Sequence, residues 1–159
     1  VKLPTFKKLD SLYDHLEKQI QSTLLDEVAE GVRDVMQVEI QDAVHSKYSP
    51  VKYNRRYANG GLMDKSNMEA FLDVRTNILE VYNFTPFNPG YNTKNSGYNL
   101  SELVEFGHGY NGLFYDYPSG GVYMKPRPFM KQTTESISKM NSHVSDLKQG
   151  LKKRNVNVK

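Results

Sequence analysis

Residues 6–45 read FKKLDSLYDHLEKQIQSTLLDEVAEGVRDVMQVEIQDAVH. Apolar side chains recur at Leu9, Leu12, Leu16, Ile20, Leu24, Val28, Val32, Met36, Ile40 and Val44. The first step is three residues and each later one four, which is the recurrence of a helical face and not of a strand. The spacing predicts one long helix over 6–45. Its mean step, roughly 3.9, is longer than the 3.6 residues per turn of a straight α-helix. Either the seam winds around the helix or the helix bends, and Gly31 is the expected bend. Unbroken, such a rod is about 60 Å long at 1.5 Å per residue. One small domain cannot cover so long a seam, so part of it is expected to lie on a neighbouring copy.

Working outward, the segment 48–64 (YSPVKYNRRYANGGLMD) reads as a loop, with Pro50 stopping the helix and Asn59-Gly60-Gly61 supplying turn chemistry. Two strands are expected at 69–75 and 77–84, with Ile78, Glu80, Tyr82 and Phe84 on one face and Leu79 and Val81 on the other. Residues 85–98 hold two Pro, two Gly and three Asn, which marks a projecting loop that orders on assembly. A short helix follows at LVEF, capped by Asn99 or Ser101 and ended by Gly107 at positive φ. The Gly-flanked aromatics of 109–124 (GYNGLFYDYPSGGVYM) predict one or two further strands. A second long helix is expected over 126–154, carried by Phe129, Met130, Thr133, Ile137, Met140, Val144, Leu147 and Leu151. The resulting fold class is α+β, a single domain over 1–159. Two long helices (6–45 and 126–154) pack on one face of a small, mainly antiparallel sheet, with extended loops between 48 and 125.

Composition narrows the function classes. The chain has 159 residues and no cysteine, so disulfides and thiolate metal sites are excluded, as suits a reducing cytoplasm. No apolar run approaches the roughly 20 residues of a membrane span, and the start of the chain turns charged too early for a signal peptide. His15, His45, His108 and His143 are scattered, and GxSxG, P-loop and GxGxxG patterns are absent. No catalytic residue, cofactor or metal is therefore expected. A hydrolase built on Glu102, Glu105 and His108 is the remote alternative.

Charge is unevenly spread. Asp26, Glu27, Glu30, Asp34, Glu39 and Asp42 face a single base, Arg33, whereas 148–159 holds five bases and no acid. Such asymmetry suits contact between copies, with Lys148, Lys152, Lys153 and Arg154 as candidates for touching DNA or a partner; a solvated terminus is the plain alternative. Lys47-Tyr48, Lys52-Tyr53 and Arg55-Arg56-Tyr57 interleave bases with aromatics, as phosphate contact plus stacking would. The sequence pI of about 8.9 is nevertheless below that of a dedicated nucleic-acid binder. Arg55 and Arg56, adjacent in a loop with no core to serve, are expected to meet a neighbour's carboxylates.

Taken together, the Tyr-rich stretch with Tyr53, Arg55, Arg56, Gly60, Gly61, Leu62 and Asp64, the later Val104-Glu105-Phe106-Gly107, and Arg127-Pro128-Phe129 before the last helix resemble the tail-completion (head–tail connector, or neck) protein family of long-tailed bacteriophages. The resemblance spans about 10–145. It implies a virion protein assembled in the host cytoplasm into a ring, expected to hold six copies, between a portal-side adaptor and the tail terminator or tube. DNA passes through the channel without specific recognition, and no membrane is involved. Tyr53, Arg55, Arg56, Tyr57, Tyr91, Tyr98, Tyr110, Phe114 and Tyr115 are the interface candidates. Gly60, Gly61, Leu62, Glu105, Phe106, Gly107, Arg127, Pro128 and Phe129 are expected to maintain the fold. A tail terminator or head-closure subunit is the runner-up, and a cytoplasmic DNA-binding protein the rival from another class.

Overall fold

The seam with its long repeat is accommodated without a break in the helix. In the computed structural model, which describes residues 5–49, 54–86, 99–107, 125–156 and 158, α1 (Leu9–Thr23) and α2 (Ala29–Ile40) form one rod. A π turn over Leu24–Val28 joins them, and a second, Gln41–His45, ends the rod. Every junction residue keeps right-handed helical dihedrals. At about 100° per residue, each four-residue step overshoots a full turn by roughly 40°. A π turn closes i→i+5 and takes up about one extra residue, so the two turns bring the drifting seam back toward one face. Gly31 does something other than bend the helix. A Cβ there would lie 2.2 Å from Asp146 Oδ2, so its bare backbone is what lets the last helix approach.

Beyond a loop, a 3-10 turn (Lys65–Asn67) leads into β1 (Met68–Asp73), which pairs antiparallel with β2 (Ile78–Asn83) in the register Met68↔Asn83 to Asp73↔Ile78. The strands are one or two residues shorter than expected, but the faces are as read: Leu79 and Val81 are half-buried, while Ile78, Glu80, Tyr82 and Phe84 face out. Rod side chains bind hairpin carbonyls in reverse order: Gln21 Nε2 donates to Val74 O (3.2 Å), Arg33 Nε to Met68 O (2.9 Å), and Gln37 Nε2 to Met63 O (2.6 Å). β1 thus runs antiparallel to the rod.

The second long helix is two. α4 (Phe129–Met140) and α5 (Ser142–Lys153) meet at Asn141, which sits left-handed at φ 52°. Asparagine tolerates that conformation better than other side chains. The apolar stripe continues through the joint, which is why spacing alone reads it as one helix. The N-terminus is also shorter than 126–154 predicts. Pro128 occupies the cap position of α4 rather than its first turn. Both helices run back along the rod, from Ser136 Oγ donating to Glu39 (2.6 Å) to Gly150, where a Cβ would meet Thr23 Cγ2 at 2.4 Å.

The core gathers Met36, Ile40, Ala43 and Val44 of the rod with Leu62, Met68, Val104 and Phe129. Phe129 is fully buried at the start of α4. α3 (Leu100–Phe106) starts at Asn99, whose side chain accepts from Ser101 N, and ends at Gly107 with φ 78°. The fold is α+β, with the helices carrying most of the chain.

Candidate interaction surfaces

Two of the motifs form one junction. Arg127 N donates to Val104 O (2.9 Å), so the VEFG and RPF segments are hydrogen-bonded to each other. α4 begins after Pro128, which has no side-chain acceptor to cap it. Glu105 fills the gap from α3: its carboxylate accepts from Met130 N at 2.8 Å and Lys131 N at 3.1 Å. Helix N-termini attract negative charge. Burial nonetheless raises the Glu105 pKa, and the two N–H donors and the Lys131 charge only partly offset it. With both Glu105 oxygens taken and Glu102 exposed, that pair is not a free acid–base couple. His108 lies outside the described residues.

The two glycines of the loop divide the work. Gly60 adopts φ 75°, and its N–H donates to Asp64 Oδ2 at 2.6 Å. A Cβ on Gly61 would lie 2.4 Å from Tyr57 O. Gly61 O accepts from Asn67 Nδ2 (3.0 Å) and Thr85 Oγ1 (3.3 Å), and Leu62 O from Asn83 Nδ2 (2.7 Å). These polar groups sit at the buried end of the hairpin, and their mutual bonds are what make their burial tolerable.

The two loop arginines are also engaged within the chain. Arg55 Nη1 donates to His45 O (2.8 Å), capping the end of the rod, and Arg56 Nη2 donates to Pro86 O (2.8 Å). His45 is buried against the edge of Tyr57, ring centres 4.9 Å apart. Burial first, and the Arg55 charge second, lower its pKa to about 4. Tyr53, Tyr91, Tyr98, Tyr110, Phe114 and Tyr115 lie outside the described residues, as do the strands expected within 109–124.

The acidic and basic stretches meet inside the chain. Arg154 binds Asp26 at 2.5 Å and Glu27 at 2.6 Å, and Lys153 approaches Glu27 at 3.6 Å. Lys65 bridges Glu30 and Asp34. The charge asymmetry is therefore largely a clamp between α5, the hairpin entry and the rod, its α5 contacts made across more than a hundred residues of sequence. Lys153 and Arg154 are committed to it. Lys148 and Lys152 stay exposed.

Among the described residues, three surfaces are open. The first turns of α1 project beyond the hairpin tip and the end of α5, leaving Leu9 62% and Tyr13 60% exposed. On the outer face of the hairpin, Phe71, Tyr82 and Phe84 form an exposed aromatic group with ring centres 5.9 to 6.2 Å apart. A groove of about 530 Å³ between β2 and α4 is floored by Val32 and Met36. Among the described residues, no group of His, Cys, Asp or Glu is placed to hold a metal ion. No described helix is long and apolar enough to cross a membrane.

These features define an α+β chain whose motifs build the fold and whose apolar surplus faces outward. The chain belongs to the YomN family, whose model matches residues 8–153. The family is phage-derived, YomN being a protein of a Bacillus prophage, so the class is that of a phage protein; the match is not to a neck or tail-completion family as such. No curated protein and no solved structure matches the chain significantly.

Proposed function

We propose that this chain is a structural protein of a phage particle, joining copies of itself into a ring in the neck between head and tail around a DNA channel. The observation that carries the reading is the apolar surface left open by a phage-family chain: Leu9 and Tyr13 on the rod, and Phe71, Tyr82 and Phe84 on the hairpin. Exposed aromatic groups of this kind are costly in water and mark contact surfaces. Its motifs are spent on holding the fold, as the Glu105 cap and the buried Phe129 illustrate. A tail terminator or head-closure ring would use the same surfaces with different neighbours. Native mass spectrometry of the full chain, alone and mixed with isolated phage heads or tails, tests the reading. Oligomers, or stoichiometric attachment to one particle part, are expected. A monomer that binds neither would contradict it.

A further inference from the structure

The ends of the rod carry unlike surfaces. At the His45 end, the guanidinium carbons of Arg55 and Arg127 lie 5.8 and 5.2 Å from the centre of the same Tyr48 ring. The Tyr48 ring attracts both cations but leaves their charge uncompensated by any carboxylate. Among the described residues Arg33, Arg75 and Arg154 each have a carboxylate partner, whereas Arg55, Arg56 and Arg127 have none. Arg55 also keeps a buried Nη2 without an acceptor. Tyr48, Tyr57, Lys47 and Lys125 are exposed on the same segments. Of the nearby acids, Asp64 is engaged by Gly60 and Ser66 and Glu105 by the start of α4, while Asp42 and Glu102 are exposed. The arginines of this end lack a carboxylate partner among the described residues.

The opposite end carries acids on one face. Asp10, Asp14 and Glu17, spaced to share that face, have no cationic partner among the described residues, while Asp26, Glu27, Glu30 and Asp34 are already neutralised within the chain. Exposed Leu9 and Tyr13 flank that face, and the exposed Lys7, Lys8 and Lys18 lie around it. Apolar anchors beside charges are the usual composition of an energetic contact, which tyrosine and arginine dominate.

We propose that the first turns of the rod dock onto the Tyr48–Arg127 end of the next copy, head to tail. The inference rests on the reading of the chain as a self-assembling protein, and adds which surfaces meet. The two patches are separated by nearly the whole rod, about 55 Å at 1.5 Å per residue. A two-fold dimer pairs each patch with its counterpart only if both meet at once, whereas a head-to-tail contact repeats and closes into a ring when its rotation allows.

The test uses two full-length variants, a head variant (Asp10→Lys with Asp14→Lys) and a tail variant (Arg127→Glu), followed by sedimentation velocity. Each alone is expected to stay monomeric, with association weakened about tenfold or more. Mixed, the two are expected to assemble again, because the tail variant's intact head meets the head variant's intact Arg127 and the two reversed charges also meet each other. Circular dichroism checks that both fold; if Arg127→Glu does not, Arg127→Gln replaces it and is expected to weaken association in the same direction. Assembly of either variant as in the wild type overturns the docking but leaves self-assembly standing. A wild type monomeric at all concentrations overturns both. Duplex DNA bound through Arg127, with assembly unchanged in the tail variant, overturns the docking in favour of a nucleic-acid surface.

Discussion

The two halves of the rod share one sequence pattern and have different fates. From Met36 to Val44 the seam is buried against Phe129, Val104 and Met68. From Leu9 to Leu16 the same spacing leaves Leu9 and Tyr13 largely in solvent and Leu12 and Leu16 half-covered. The difference lies in what runs alongside. β1 and the α4–α5 pair both travel back along the rod and stop near Gln21 and Ser22. A periodic stripe therefore states that a helix has an apolar face, and only tertiary structure states whether the chain covers it.

Substitutions should separate the two halves, beginning with the largest effect. Phe129→Ala removes a fully buried ring from the core and is expected to cost about 3–5 kcal/mol, measured by urea unfolding; a cost like that of a surface change would mean the core is elsewhere. Acid should act on the buried half next. His45 has its folded pKa depressed from 6.5 to about 4, so the unfolded chain binds the extra proton. Stability is full above pH 6.5 and is lost as the pH falls toward 4, by at most about 3 kcal/mol. Glu105, with its pKa raised, acts oppositely just above the ordinary carboxylate range, adding stability on acidification there. Unfolding free energies measured from pH 7 to 4 should show the decline, and His45→Gln should flatten it. Smaller still, Gly150→Ala presses a methyl onto Thr23 and Glu27 and is expected to cost about 1–3 kcal/mol, read from the shift in urea midpoint; no shift would mean α5 does not lie tightly on the rod.

Much of this was legible beforehand, for physical reasons. Local chemistry read correctly: the helical seam, the alternating face of 78–84, a cap at Asn99 or Ser101 (it is Asn99) and Gly107 at positive φ all depend on residues a few positions apart. The misreadings involve distant partners. Gly31 is the weakest helix former in the rod, but its purpose is set by Asp146, 115 residues on. Arg154 looked like part of a free basic tail because nothing near it in sequence announces Asp26 and Glu27. Arg55 and Arg56 looked unemployed because backbone carbonyls, their partners, leave no trace in a sequence. The Asn141 break had a local signal, an asparagine able to go left-handed, but the apolar stripe runs through it unchanged.

The central claim is that the first turns of the rod serve a partner and the remainder serves the fold. It is tested most directly by Leu9→Ser with Tyr13→Ser in the full chain, comparing unfolding and association in one preparation. The account predicts a change in unfolding free energy within about 0.5 kcal/mol together with loss of self-association. A core-sized loss of stability, or association equal to the wild type, would contradict it.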